Sequence, residues 1–421
     1  MEEEKFEKQI QKRRKSTKKQ IVFMVLFIVI FVFLAVEVVK LASYTLGKYD
    51  KEKLWLYNGV DTIVKSVFGT PVNNHIEEHK ASLASLGNIY LTPNMIKGAK
   101  EIDRYDFTTG LEEMQEKLKD HDLVIANLAT PIASEQLRTY STVNSYIAPK
   151  DLVTTLKELN VQAVGTATYH AMDKKESGVS STMEVLKEAN IAQTGISDNE
   201  RSKPLILSKN NINIGILSYT TSSNVKIAQG SNILNLLTEE NIKADVQFLK
   251  DEQVDIIFAY LDDYNKNVQL VTSEHKKNVD LLIDNGVNVV LGGGIAAVQD
   301  CYEDEIELAD KSLSHIYTIY SLGDFMGGYT SSYAQSSIIP TFEMTKKINK
   351  NKKGEIINTQ FSFQVKTPII TWTKVNKDYS KKMYIVEDEI EKFNNDKSDL
   401  LAKDYNEMKE EYNRILKMYE K

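Results

Sequence analysis

Residues 20–36 read QIVFMVLFIVIFVFLAV, seventeen positions without a charge. Continued to Val39, the run is about 20 residues, long enough to cross a bilayer as a helix. Lys12, Arg13, Arg14, Lys15, Lys18 and Lys19 stand just before it, and mixed charge follows from Glu37 to Lys53. Lysine and arginine are retained on the cytoplasmic side. The expected layout is therefore a cytoplasmic basic stub over 1–19 and a transmembrane signal anchor over 20–39. The main domain is then extracellular on a single-pass cell-membrane protein. A cleaved signal peptide would have a shorter apolar core ending in small residues. Leu41-Ala42-Ser43 is a poor match to that end.

Charge divides along the same line. Residues 1–20 carry net +4, which leaves −11 of the formal −7 for the rest. The stub suits the anionic headgroups of a bilayer. The acidic remainder argues against nucleic acid as a partner, since that role needs a basic face. At 42% hydrophobic and 26% charged residues, the composition is globular. Cys301 is the only cysteine, so an intrachain disulfide and a zinc finger are both excluded.

Residues 40–80 read as a stalk or linker, punctuated by Asn58-Gly59 and Gly69-Thr70-Pro71. An alternation then begins. Strands are expected over 81–90, 122–127, 161–166, 191–195, 254–260, 287–291 and 316–322. Helices are expected over 107–120, 151–159, 180–189, 239–250 and 273–284. A hairpin over 205–221 turns at Asn210-Asn211. Short apolar strands between helices imply an α/β core with both sheet faces covered. The core domain is expected over 81–335, and an antiparallel hairpin over 336–375 completes it. A helical tail fills 376–421, with Met383, Val386, Ile390 and Phe393 as its apolar stripe.

Ligands in such sheets bind beyond the C-terminal ends of strands. The candidate pocket residues are therefore Asn88, Asn127, Tyr169, His170, Asp173, Tyr260, Asp262, Asp263, Gly292, Gly293, Gly294 and Asp324. Each also has a plain structural role open to it. His170 can hold its loop by bonding a backbone carbonyl, and Asp173 can cap the next helix. Asp262 and Asp263 can be a solvated loop pair. Tyr169 and Tyr260 either stack on a ligand or fill space. Gly292-Gly293-Gly294 lacks the lysine and serine of a phosphate-binding loop and reads as a turn.

DLVIANL at 122–128, STMEVLKEANIAQTGI at 181–196, LLIDNGVNVVLGG at 281–293 and IYSLGDF at 319–325 occur in a telling order. Together with the N-terminal anchor, they resemble the CapA family of poly-gamma-glutamate capsule-synthesis proteins. The resemblance runs from about Ser82 to Phe325. It implies a membrane-anchored protein whose outer domain is a calcineurin-like metallophosphatase sandwich of mixed sheets. It also implies partners among membrane-embedded capsule-synthesis proteins, or an extracellular polymer.

The departures bear on mechanism. The family's Gly-Asp is Gly87-Asn88 here, its Asn-Leu-Glu is Asn127-Leu128-Ala129, and its Asn-Asn-His is Thr168-Tyr169-His170. Its His-Trp-Gly-x-Glu-Tyr falls on 260–265 without the His or Glu. Both histidines of its Gly-His-x-Pro-His are absent from 292–296, and Asp324 replaces the Asn after Ser-Leu-Gly. A two-metal site needs carboxylates and imidazoles to hold its cations and acidify bound water. No cofactor is therefore expected, the family's divalent metals included, and no catalytic residue is assigned. The expected role is a non-catalytic accessory in capsule polymer synthesis, export or anchoring. The alternatives are a metal-dependent phosphoesterase or amide-bond enzyme with an atypical ligand set, and a surface interaction module unrelated to capsule. Lys346, Lys347, Lys350, Lys352 and Lys353 form a candidate patch for an anionic polymer, or simply a solvated turn.

Overall fold

The computed structural model describes residues 75–419 apart from 136, 138–144, 265–269, 308–312 and 329. The stub, the apolar run and the expected stalk up to residue 74 lie outside the described residues. No helix among the described residues is long and apolar enough to cross a membrane. The chain divides into two units: Met1–His75 with Lys350–Glu355, and Ile76–Asn349 with Ile356–Lys421. In the first, Lys350–Glu355 is a turn in which Asn351 Oδ1 accepts from the amides of Lys353 (2.8 Å) and Glu355 (3.1 Å).

The second unit is a two-sheet α/β sandwich. Its first sheet holds β1 (His75–Ile89), β2 (Leu123–Leu128), β3 (Val161–Gly165) and β4 (Ala192–Thr194), paired in parallel in that order. Three more strands extend it beyond β1: β11 (Ser336–Lys350), β12 (Ile356–Val375) and β13 (Lys381–Ile385). The second sheet runs β5 (Leu205–Lys209), β6 (Ile212–Thr220), β7 (Ile256–Asp262), β8 (Val289–Gly293), β10 (Leu313–Ile319) and β9 (Cys301–Glu307). Its inner four strands are parallel and its two edge strands antiparallel.

Alternation within each apolar strand sends side chains to two different cores. Leu83, Ile125, Phe258 and Leu291 meet between the sheets. Leu86, Val124 and Val164 face outward onto α1 (Pro93–Gly98), α2 (Glu112–Leu118), α3 (Leu152–Glu158) and α4 (Lys175–Glu188). On the other side, Ile257, Ala259 and Leu261 pack on α5 (Glu239–Asp251) and α6 (Ser273–Asp284). The final helix, Ala402–Tyr419, adds Tyr405, Met408 and Ile415 to the inter-sheet core. Its Arg414 donates to the Val298 carbonyl at 3.0 Å.

Local chemistry explains where elements depart from the periodic pattern. The expected helix over 107–120 shrinks to Glu112–Leu118. Asp106 Oδ1 takes the amide and hydroxyl of Thr108 (2.8 and 2.6 Å), and Gly110 sits at φ +86°. Such a side-chain turn competes with helix. Asn210 and Asn211 both have positive φ, as a two-residue hairpin turn requires. Edge strand β9, CYEDEIE, carries four acidic residues and does not read as a strand from sequence. Met383 lies in β13 rather than on a helical stripe, because the chain at 381–385 pairs with β12.

Candidate functional site

Strands β1, β2, β7 and β8 end on the same side of the sandwich, and their last residues meet. Both β7 and β8 run two residues further than their apolar pattern, so Asp262, Gly292 and Gly293 are strand residues. Gly294, at φ +75°, makes the turn out of β8.

The Asn88 amide lies at the centre. Its Oδ1 accepts from Asn127 Nδ2 (2.9 Å) and the Gly294 amide (3.3 Å). Its Nδ2 donates to Asp324 Oδ1 (2.9 Å) and the Ile295 carbonyl (3.1 Å). Gly293 leaves the room this cluster needs. A Cβ there would stand 2.4 Å from Asn127 Nδ2 and 2.8 Å from Asn88 Oδ1.

Beside the cluster, the His170 Nδ1 lies 3.0 Å from both Asp173 carboxylate oxygens. A carboxylate only accepts, so Nδ1 donates, and Nε2 lies 3.1 Å from the Tyr90 hydroxyl. Asp173 also accepts from the Tyr146 amide at 2.5 Å and from Asn224 Nδ2. The plain roles considered for these two residues are thereby corrected. His170 bonds a carboxylate, not a carbonyl, and Asp173 caps no helix: α4 has Lys174 at its N-cap, without a side-chain bond.

Two further corrections concern burial. Tyr260 does not face a ligand. It is sealed between the sheets, bonded to Ser85 Oγ (2.7 Å) and donating to the Leu86 carbonyl (3.1 Å). The Asp262-Asp263 pair is not a solvated loop. Asp262 is 1% exposed and accepts from the Tyr169 amide at 3.0 Å. Asp263 accepts from Thr221 Oγ1 (2.9 Å) and Asn278 Nδ2 (3.0 Å).

A cavity of about 230 Å³ opens over these groups. Asn88, Tyr169, His170, Asp262, Gly294 and Asp324 line it, as the sequence pattern proposed. Asn127 does not line it but bonds Asn88, which does. Tyr90, Thr168, Tyr264 and Tyr333 also line it and were not among the candidates. Tyr90 could have been found as the first polar aromatic after β1. Tyr333 lies near no strand end and gave no signal. Tyr169 and Tyr264 stack face to face at 3.9 Å, and His170 meets Tyr169 edge-on at 5.0 Å.

Burial pushes the Asp262 carboxyl up to about 7, against the pull of the Tyr169 amide and His170. The same cause pushes Asp324 up to about 6. Lys381, buried beside Asp324, is pushed down to about 7 by desolvation, and its amine donates to the Gly327 carbonyl. The Asp324 Oδ2, Thr168 Oγ1 and Asn127 Oδ1 atoms are buried without a hydrogen-bond partner.

This donor set does not fit a two-metal centre. Both imidazole nitrogens of His170 are engaged, the Asn88 oxygen already accepts twice, and Gly293 has no room for a side chain. Among the described residues, no three His, Cys, Asp or Glu side chains gather where one ion would bind.

Residues 68–329 match the family model described as bacterial capsule synthesis protein PGA_cap. The chain belongs to that family. Membership suggests a role related to capsule synthesis. No curated protein matches the chain. Among solved structures, it is similar to the calcineurin-like phosphoesterase YfkN from Bacillus subtilis. There the identity is 11%, the match covers 69% of this chain and 91% of that one, and the TM-score is 0.38. It is also similar to the Thermus thermophilus sulfate thiohydrolase SoxB in complex with glycerol. That match has 12% identity, covers 68% and 56% of the two chains, and has a TM-score of 0.33.

Proposed function

We propose that this PGA_cap member is a membrane-anchored, extracytoplasmic accessory of capsule polymer synthesis, export or anchoring, and that it works without a two-metal centre. The observation that carries the reading is the amide cluster at the strand ends. Asn88 and Asn127 bond each other, Asn88 also bonds the Ile295 carbonyl and the Gly294 amide, and asparagine brings no charge to hold a cation. The apolar run at 20–36 supports the anchor, and through it a membrane-embedded synthesis protein as partner. The polymer itself is the second candidate partner. Of the lysines first considered for it, Lys346 pairs with Asp255 at 2.9 Å and Lys347 with Glu78 at 3.5 Å, which weakens that patch.

The test has two arms. The full chain, purified without chelators, is assayed for manganese, zinc, iron, magnesium and calcium by elemental analysis. Less than a tenth of an equivalent of transition metal, even after manganese is added back, is the expected result. A near-stoichiometric amount overturns the non-catalytic reading and directs work to phosphoesterase and amide-bond assays. In the second arm, a deletion strain is scored for capsule. Loss of capsule, restored by the intact chain, is expected. An unaltered capsule would leave a surface interaction module as the better description.

A further inference from the structure

The cavity pairs two features that recognise one kind of ligand. Its wall is aromatic: Tyr90, Tyr169, Tyr264 and Tyr333 line it together with His170. Its floor is acidic: Asp262 and Asp324 are both at least nine-tenths buried. Among the described lining residues none is a lysine or an arginine. The nearby Lys381 amine is turned to the Gly327 carbonyl. A buried carboxylate without a salt bridge is costly; Lys381 lies near Asp324 but does not donate to it, and Asp324 Oδ2 has no hydrogen-bond partner.

We propose that this pocket binds a small organic ammonium ion, held against the tyrosine rings and charge-paired with Asp262 and Asp324. Ring faces attract such ions through their quadrupole, the more strongly when water is excluded. A neutral sugar would also stack on tyrosine, but it would leave both carboxylates uncompensated. The volume of about 230 Å³ is below the usual range for drug-sized ligands and suits a head group rather than a whole polymer segment. Burial raises both carboxyls, and a cation beside them would favour their charged form. The inference rests on the reading of this site as lacking a two-metal centre.

The experiment is calorimetric titration of the full chain in nonionic detergent with choline, tetramethylammonium and 3,3-dimethyl-1-butanol. The last has the shape of choline without its charge. Saturable choline binding, at least about tenfold tighter than the neutral analogue, is expected. Asp262→Asn and Asp324→Asn each keep the oxygen that accepts from Tyr169 or Asn88. Each is expected to weaken choline about tenfold while melting as a folded protein. Affinity is expected to fall from pH 8 to pH 5 as the carboxyls protonate. His170 and Asp263 face Asp262, and Lys381 faces Asp324, so the two asparagine variants identify which groups carry the slope. Equal binding of the neutral analogue, or no choline binding by a metal-free chain, overturns the inference and leaves the proposed function standing. Stoichiometric transition metal that excludes choline overturns both.

Discussion

Two buried carboxylate sites in this fold are treated in opposite ways. Asp245, on α5, is 2% exposed. Arg201 grips it with both terminal guanidinium nitrogens, one at 2.6 Å, and the Tyr219 hydroxyl adds a bond at 2.5 Å. Asp262 and Asp324 are as deeply buried, yet they receive amide hydrogens and no charged donor. Where a carboxylate is structural, the chain brings its own cation. Where the carboxylates line the cavity, neither is in a salt bridge, and Lys381, near Asp324, donates to the Gly327 carbonyl instead. The difference teaches that the pocket carries an unspent negative charge.

The sharpest way to break the comparison is to make Asp245 resemble the pocket. Arg201→Met leaves that carboxylate buried and unpaired, and a loss of about 3–5 kcal/mol in urea unfolding is expected. A loss below about 1 kcal/mol would mean that Asp245 never needed its cation. Crowding the pocket's amide cluster comes next. Gly293→Ala drives a methyl into Asn127 and Asn88, and about 1–3 kcal/mol of destabilisation is expected from the same measurement.

Neutralising the pocket should have the opposite sign. The double change Asp262→Asn and Asp324→Asn is expected to raise stability at pH 8 by about 1–3 kcal/mol. Folded carboxyls near 7 and 6 lie above their unfolded value near 3.8. The folded state then binds more protons between those values. The stability that these two groups contribute is fully present below about pH 4 and is lost as pH rises through 6 and 7. The gap between wild type and the double variant should therefore close as pH falls from 8 to 5, read from melting temperatures across that range. A gap that stays constant with pH would place the effect in packing instead. The smallest effect is at the helix that carries Asp245. Thr238 Oγ1 accepts from the Asn241 amide at 3.2 Å as its N-cap, and Thr238→Ala is expected to lower stability by about 1 kcal/mol in urea titrations.

Much of the sandwich was legible because its parallel strands are short apolar runs. LVIANL and IIFAYLD are buried along their whole length, and no polar alternation blurs them. The hairpin at Asn210-Asn211 was legible from its turn residues. Strand β9 was not, because an edge strand keeps one side in solvent and tolerates CYEDEIE. Strand β13 was not, because five residues have no readable period and are held by β12.

The candidate site divides along the same line. Rules about strand ends sufficed to nominate Asn88, Tyr169, His170, Asp262 and Asp324, since in parallel sheets those ends converge. They failed for Tyr260, which is two residues short of the end of β7 and so points into the inter-sheet core. They also failed for Tyr264 and Tyr333, which loops bring to the cavity.

The sequence by itself determined the alternation of strands and helices, the division of charge at residue 20, and the residues that stand at the strand ends. These are local properties, set by periodicity, turn chemistry and composition. Only the tertiary structure decided which of those side chains face the same space and what each one bonds. It turned two asparagines toward each other, gave Asp245 an arginine from a distant loop, and left Asp324 Oδ2 without a donor. Such pairings join residues up to about 240 positions apart, and no local pattern encodes which buried charge will find its partner.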